Sequence, residues 1–141
     1  MTMLVRPVGR ALVMASLVTL APACGIFQQV LPPGDARWAL PPDTEIGPEM
    51  VEFTALVTEV ACAGGQSSEG RIVGPDISYT DESVTVTFGV RGTGGMNTCP
   101  GNPPTHVAVR LDEPLADRVL LDGGTDPPRD PPVCANLDFC E

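Results

Sequence analysis

Four residues constrain the fold more than any others: Val84, Val86, Phe88 and Val90 alternate with Thr85, Thr87 and Gly89. Side chains two apart share one face of a strand, so β-branched and aromatic residues on that period mark a strand with one buried face. Val107, Val109 and Leu111, separated by Ala108 and Arg110, repeat the pattern. Residues 51–60 set Val51, Phe53, Ala55 and Val57 against Glu52, Thr54 and Thr58. Arg71-Ile72-Val73 reads as a short strand broken at Gly74-Pro75. Residues 77–79 then pair with the Val84 strand across Thr80-Asp81-Glu82-Ser83, and residues 117–122 return as a last strand. Short strands divided by Gly, Pro and Asp turns, with no amphipathic helical period after residue 50, predict an all-β domain over residues 51–124. The expected form is a small antiparallel Ig-like β-sandwich, with a small barrel as the alternative.

The segment before this domain reads as export signal and tether. Residues 1–10 carry Arg6 and Arg10 and no acid, residues 11–20 are uncharged, and Ala21-Pro22-Ala23 precedes Cys24. That is the plan of a secretory signal peptide over residues 1–23. Its apolar run is short of the ~20 residues that span a bilayer as a helix. Leu20-Ala21-Pro22-Ala23-Cys24 resembles a bacterial lipobox, in which the cysteine sulfur takes a diacylglycerol. Cysteine parity points the same way, because five cysteines leave one unpaired. Residues 24–50, with prolines at 32, 33, 41, 42 and 48, are expected to form an extended linker. Trp38 is its one large aromatic and is expected to dock on the β-domain and cap the core.

Charge excludes some partners. Beyond residue 23 six arginines face 18 acids, there is no lysine, and the whole chain carries a net charge of −10. Phosphate binding needs clustered positive charge, so nucleic acid is not expected as a partner. The membrane is expected only through the N-terminal lipid.

Several short stretches resemble a group of predicted lipoproteins of high-GC Gram-positive bacteria: Val60-Ala61-Cys62, Arg71-Ile72-Val73-Gly74-Pro75, Cys99 ahead of Gly101-Asn102-Pro103-Pro104, and Leu111-Asp112-Glu113-Pro114-Leu115 followed by Asp117-Arg118. The likeness runs from Glu52 to Gly123, about half the chain. Where that group often has Gly before the Asp-Arg pair, this chain has Ala116. The resemblance implies export and a β architecture and no mechanism.

Without Cys24, four cysteines remain and allow three connectivities. Cys62 with Cys99 and Cys134 with Cys140 are favoured, since the first two flank strands and the second two close a loop in a Pro-rich tail over residues 125–141, where Phe139 can pack back on the sheet. By loop closure the first bridge is worth about 4 kcal/mol and the second about 2.4 kcal/mol. Asp122, Asp126 and Asp130 faintly resemble a calcium loop. They lack its D-x-[DN]-x-[DN]-G order, so a solvated acidic loop is expected and no metal site.

No catalytic constellation emerges. His106 is the only histidine and is expected to face outward from a strand. There is no Gly-x-Ser-x-Gly, no phosphate loop and no dinucleotide fingerprint, so no cofactor is expected. Asp81-Glu82 and Asp112-Glu113 sit at turns. Two function classes remain. One is a non-catalytic envelope module that binds a protein, peptide or glycan through loops 64–70 and 92–104, with Asn97 and Asn102 as candidate contacts. The other is an accessory or small hydrolytic enzyme using carboxylates.

Overall fold

A computed structural model describes residues 33–134. Six strands form in order: β1 (Gly34–Ala39), β2 (Glu52–Glu59), β3 (Ile72–Tyr79), β4 (Ser83–Val90), β5 (Thr105–Arg110) and β6 (Val119–Asp122). There is no helix among the described residues. The sheet runs β3-β4-β1-β2-β5, with β6 beside β4. All pairings are antiparallel except β4 with β6, which is parallel. In place of two separate sheets, one sheet curls into a half-barrel. The all-β class and the antiparallel sheet hold, and the Ig-like sandwich is not established.

The curl is made at β1, within the stretch expected as linker. Pro32-Pro33 and Pro41-Pro42 made residues 34–40 look like spacer, yet Ala36, Trp38 and Leu40 alternate and are all buried. Proline is tolerated at strand ends, where no ladder N–H is missed. Gly34 and Asp35 pair with Val90 and Gly89 of β4, and Ala36 to Ala39 pair with Glu59 to Leu56 of β2. One short strand therefore belongs to both halves of the sheet. Trp38 does more than cap the core. Its ring stacks on Phe53 at 5.5 Å, meets Phe88 edge-on at 6.5 Å, and donates Nε1–H to Val86 O at 2.8 Å.

The alternation in β4 is as read, with Val84, Val86, Phe88 and Val90 all buried. Opposite them lie Phe53, Ala55, Val57 and Val109 of β2 and β5. β3 is not broken at Gly74-Pro75: the strand continues through an irregularity in register between Val73 and Asp76, with Gly74 at φ 106°. The β5–β6 connection closes one end of the half-barrel with Leu111 and Leu115, pinned by Leu111 N–H to Val51 O at 2.8 Å and Leu115 N–H to Met50 O at 2.9 Å. Crossing from β5 to the far half delivers β6 parallel to β4. Past β6, Gly123 donates to Val86 O at 2.9 Å, and a Cβ on Gly124 would lie 1.9 Å from Ala36 O. Only glycine lets the chain pass that close to β1. The tail then joins the sheet as well: Leu40 N–H donates to Pro132 O at 2.8 Å and Cys134 N–H to Leu40 O at 2.9 Å.

Candidate functional site

The loops β2–β3 and β4–β5 both leave at the end of the half-barrel where β1 begins, and they are tied together there. Cys62 and Cys99 form the expected disulfide, with Cα atoms 4.6 Å apart. Beside it Gly64 N–H donates to Thr98 O at 3.0 Å, and Ser67 and Thr105 hydroxyls share a hydrogen bond of 3.1 Å. Gly64 and Gly65 have φ of 67° and 74°, and a Cβ on Gly65 would meet Pro100 at 3.1 Å. Sharp turning and close approach are what the Ala63-Gly64-Gly65 sequence supplies.

Between the two loops lies a cleft of about 590 Å3, lined by the end of β2 (Thr58, Glu59, Val60), the disulfide, and the Pro100-to-Pro104 run with Asn102. Asn102 builds its wall. The Nδ2 group donates to Glu59 O at 3.0 Å and Ala61 O at 2.7 Å, while Oδ1 is buried with no hydrogen-bond partner. Asn97 is not in the cleft. Its Nδ2 donates to Thr93 Oγ1 at 2.7 Å and Gly94 O at 3.2 Å, bracing the β4–β5 loop on itself. Of the two candidate contacts, then, one shapes the cleft and the other holds a loop.

Glu59 is the only ionisable side chain on the cleft wall, and it is held by Arg71. The guanidinium reaches from the start of β3 to Glu59 Oε2 at 2.6 Å, Arg91 O at 2.7 Å and Ser67 O at 3.2 Å. Glu59 is almost wholly buried, so an unpaired carboxylate there would be costly. The bond to Glu59 raises the Arg71 pKa further above its ordinary value, against the opposing effect of burial. With that pair closed the cleft presents no net charge. Proline rings and the exposed Val60 are left to meet a ligand.

The other candidate positions lie apart. His106 is exposed and pairs with Leu56 across β2 and β5, so it faces outward as expected. Asp81-Glu82 lies in the β3–β4 turn, closed by Thr80 and Ser83. Glu113 pairs with Arg118. The Asp122 carboxylate is buried, accepting the N–H of Trp38 and of Gly124, whereas Asp126 and Asp130 are exposed. Among the described residues no group of three His, Cys, Asp or Glu is placed to hold a metal ion. No helix among them is long and apolar enough to cross a membrane. Cys24, Cys140 and Phe139 lie outside the described residues. Sequence reasoning missed Glu59 and Arg71, although an acid on the inward-facing period of β2, after Val57, was the available signal. No family model, curated protein or solved structure matches this chain.

Proposed function

We propose that this chain is an extracytoplasmic lipoprotein of the cell envelope, anchored through Cys24, whose cleft at the Cys62–Cys99 end captures an uncharged partner without catalysis. The cleft carries the reading. Its walls are covalently joined, its one carboxylate is neutralised by Arg71, and proline rings and the exposed Val60 line it. A rigid, shaped surface of that kind costs little to order on binding. The chemistry it suits is an uncharged peptide or glycan segment that can lie against proline rings and Val60. Anchoring rests on the leader, the cysteine parity and the resemblance to lipoproteins of high-GC Gram-positive bacteria. The Ig-like comparison is retained in one sense: loops from both halves gather at one end of a rigid β frame, where recognition usually sits.

Anchoring would also set where the partner is. β1 begins at the cleft end, since Gly34 pairs with Val90. Nine residues lie between Cys24 and Gly34, so the two are at most about 35 Å apart. The partner would therefore lie close to the membrane surface. In-cell photocrosslinking from position 100 should capture one defined partner, and Val60→Asp, which charges an exposed edge of the cleft, should abolish capture without unfolding the sheet. Equal capture from position 82, at the opposite end, would overturn the assignment. Turnover of a wall fragment by the purified protein, abolished by a single carboxylate change, would favour the hydrolytic alternative.

A further inference from the structure

β5 ends the sheet on one side and carries an open backbone edge. Bonded and non-bonded positions alternate along an antiparallel pair. Leu111 N–H donates to Val51 O at 2.8 Å, so the register makes Val109–Phe53, Val107–Ala55 and Thr105–Val57 the bonded pairs of β5 and β2. The N–H and C=O of His106, Ala108 and Arg110 therefore point away from β2. Among the described residues no group bonds to them, and all three residues are exposed.

The other edges are guarded. β3, at the far end of the sheet order, is interrupted at Gly74-Pro75, where the register shifts and Pro75 has no N–H to offer. The free side of β6 is crossed at Asp122, which exchanges both backbone bonds with Arg129. On β1 the Asp122 carboxylate takes the N–H of Trp38. Bulges, prolines and covering segments are how sheets keep further strands from adding. Among the described residues β5 has none of these. Its one charged side chain, Arg110, has no carboxylate within 4.0 Å.

We infer that β5 accepts an extended segment of another protein as an added strand, apolar on the side of Val107 and acidic opposite Arg110. Main-chain bonds to the open edge would hold such a strand, and its alternate side chains would select it. Val107 is half-buried and packs against the core, so a β-branched neighbour would extend the apolar face there. On the outer face, His106 and Arg110 favour acids. Charge argues against a second copy as the partner. The twofold pairing that engages all three open residues sets Ala108 on Ala108 and His106 against Arg110 twice, with no acid between them, and each chain carries a net charge of −10. This edge is separate from the Cys62–Cys99 cleft, whose lining includes no residue of β5.

The probe is the capped peptide acetyl-Glu-Val-Thr-Val-Glu-Val-amide, which, antiparallel to β5, sets Glu opposite Arg110 and His106 and Thr opposite Ala108. Amide hydrogen exchange of the full chain, read residue by residue by NMR, should slow at His106, Ala108 and Arg110 by about tenfold with free peptide at about ten times its Kd. Val107 and Val109, already bonded to β2, should not change. Ala108→Pro removes the central N–H at a position where an edge strand tolerates proline, and should abolish the slowing while the thermal unfolding midpoint is kept. Arg110→Glu leaves the backbone untouched and should weaken binding by about fivefold, reversing the preference toward a peptide with Lys in place of Glu. No slowing at millimolar peptide, slowing confined to residues 60–66 or to β3, binding retained in Ala108→Pro, or an unchanged preference in Arg110→Glu would each overturn the inference. So would a dimer of the unaltered chain that Ala108→Pro dissolves.

Discussion

Asp122 and Trp38, separated by 84 positions, meet where the sheet divides: Asp122 Oδ2 accepts the backbone N–H of Trp38 at 3.4 Å. β1 pairs with β4 only at Gly34 and Asp35, so the free edge of its later residues has no strand opposite. A side chain from β6 replaces the missing ladder there. Oδ1 accepts from Gly124 at 2.8 Å, so the same carboxylate also fixes the Gly-Gly exit.

Burial, the strongest influence on Asp122, raises its pKa, while the N–H groups of Gly124 and Trp38 and the charges of Arg129 and Arg37 pull it down. The folded state therefore binds this proton more tightly than the unfolded state. Its contribution to stability is complete below the ordinary carboxylate value of about 3.9 and is lost as pH rises through the folded value. Asp122→Asn keeps an acceptor and removes the titration. Urea midpoints measured from about pH 4 upward should fall less steeply with pH in Asp122→Asn than in the unaltered protein.

Arg71 closes the cleft end by holding Glu59, Arg91 and Ser67 together. Arg71→Ala leaves the Glu59 carboxylate buried without a partner and should lower unfolding free energy by about 3 kcal/mol. Adding Glu59→Gln should restore part of that loss. Additive losses in this double-mutant cycle, read by denaturant titration, would mean that the pair is not coupled.

The Cys62–Cys99 bridge closes a loop with a sequence separation of 37, and replacing both cysteines with alanine should remove about 4 kcal/mol. Asn102→Ala frees the carbonyls of Glu59 and Ala61 and should cost about 2 kcal/mol. The cleft should loosen in that variant with the disulfide still formed, as hydrogen exchange at residues 60–66 would report.

Two small residues give opposite expectations. Ala116 stands at φ 55°, in the left-handed region where a Cβ is penalised, so Ala116→Gly should stabilise by about 1 kcal/mol in thermal unfolding. Gly124→Ala would press a Cβ against Ala36 O, forcing β1 away from the chain leaving β6. A loss of about 3 kcal/mol or more is expected by the same measurement.

Lipid attachment is tested on the mature protein. Mass spectrometry of the membrane fraction should show a diacylglyceryl adduct on Cys24, and Cys24→Ala should release the protein to the medium. An unmodified N-terminus at residue 25 or beyond would refute the anchor.

Local information was enough for the strands of the main half-barrel. The period of two in β4 and β5 and the turn before Ser83 need no distant partner to be read, because a half-buried strand writes its burial into alternation. The first disulfide was legible for a related reason: few cysteines, flanking strands that pair. Of the cleft, the loops and the place of Asn102 in one of them could be anticipated, but not what its amide would hold. Three decisions belong to tertiary structure. Trp38 lies in a segment bounded by Pro-Pro on both sides, and only the two open edges offered by β2 and β4 make residues 34–39 a strand. Whether β6 runs parallel or antiparallel depends on which end of the half-barrel the β5–β6 connection crosses, and hydrophobic period carries no direction. Glu59 and Asp122 look in sequence like ordinary acids near strand ends. They become buried groups because Arg71 in one case, and the backbone N–H of Trp38 in the other, arrive from elsewhere in the chain to meet them. Burial of a charge is decided by its partners, and partners across 12 or 84 positions are set by topology.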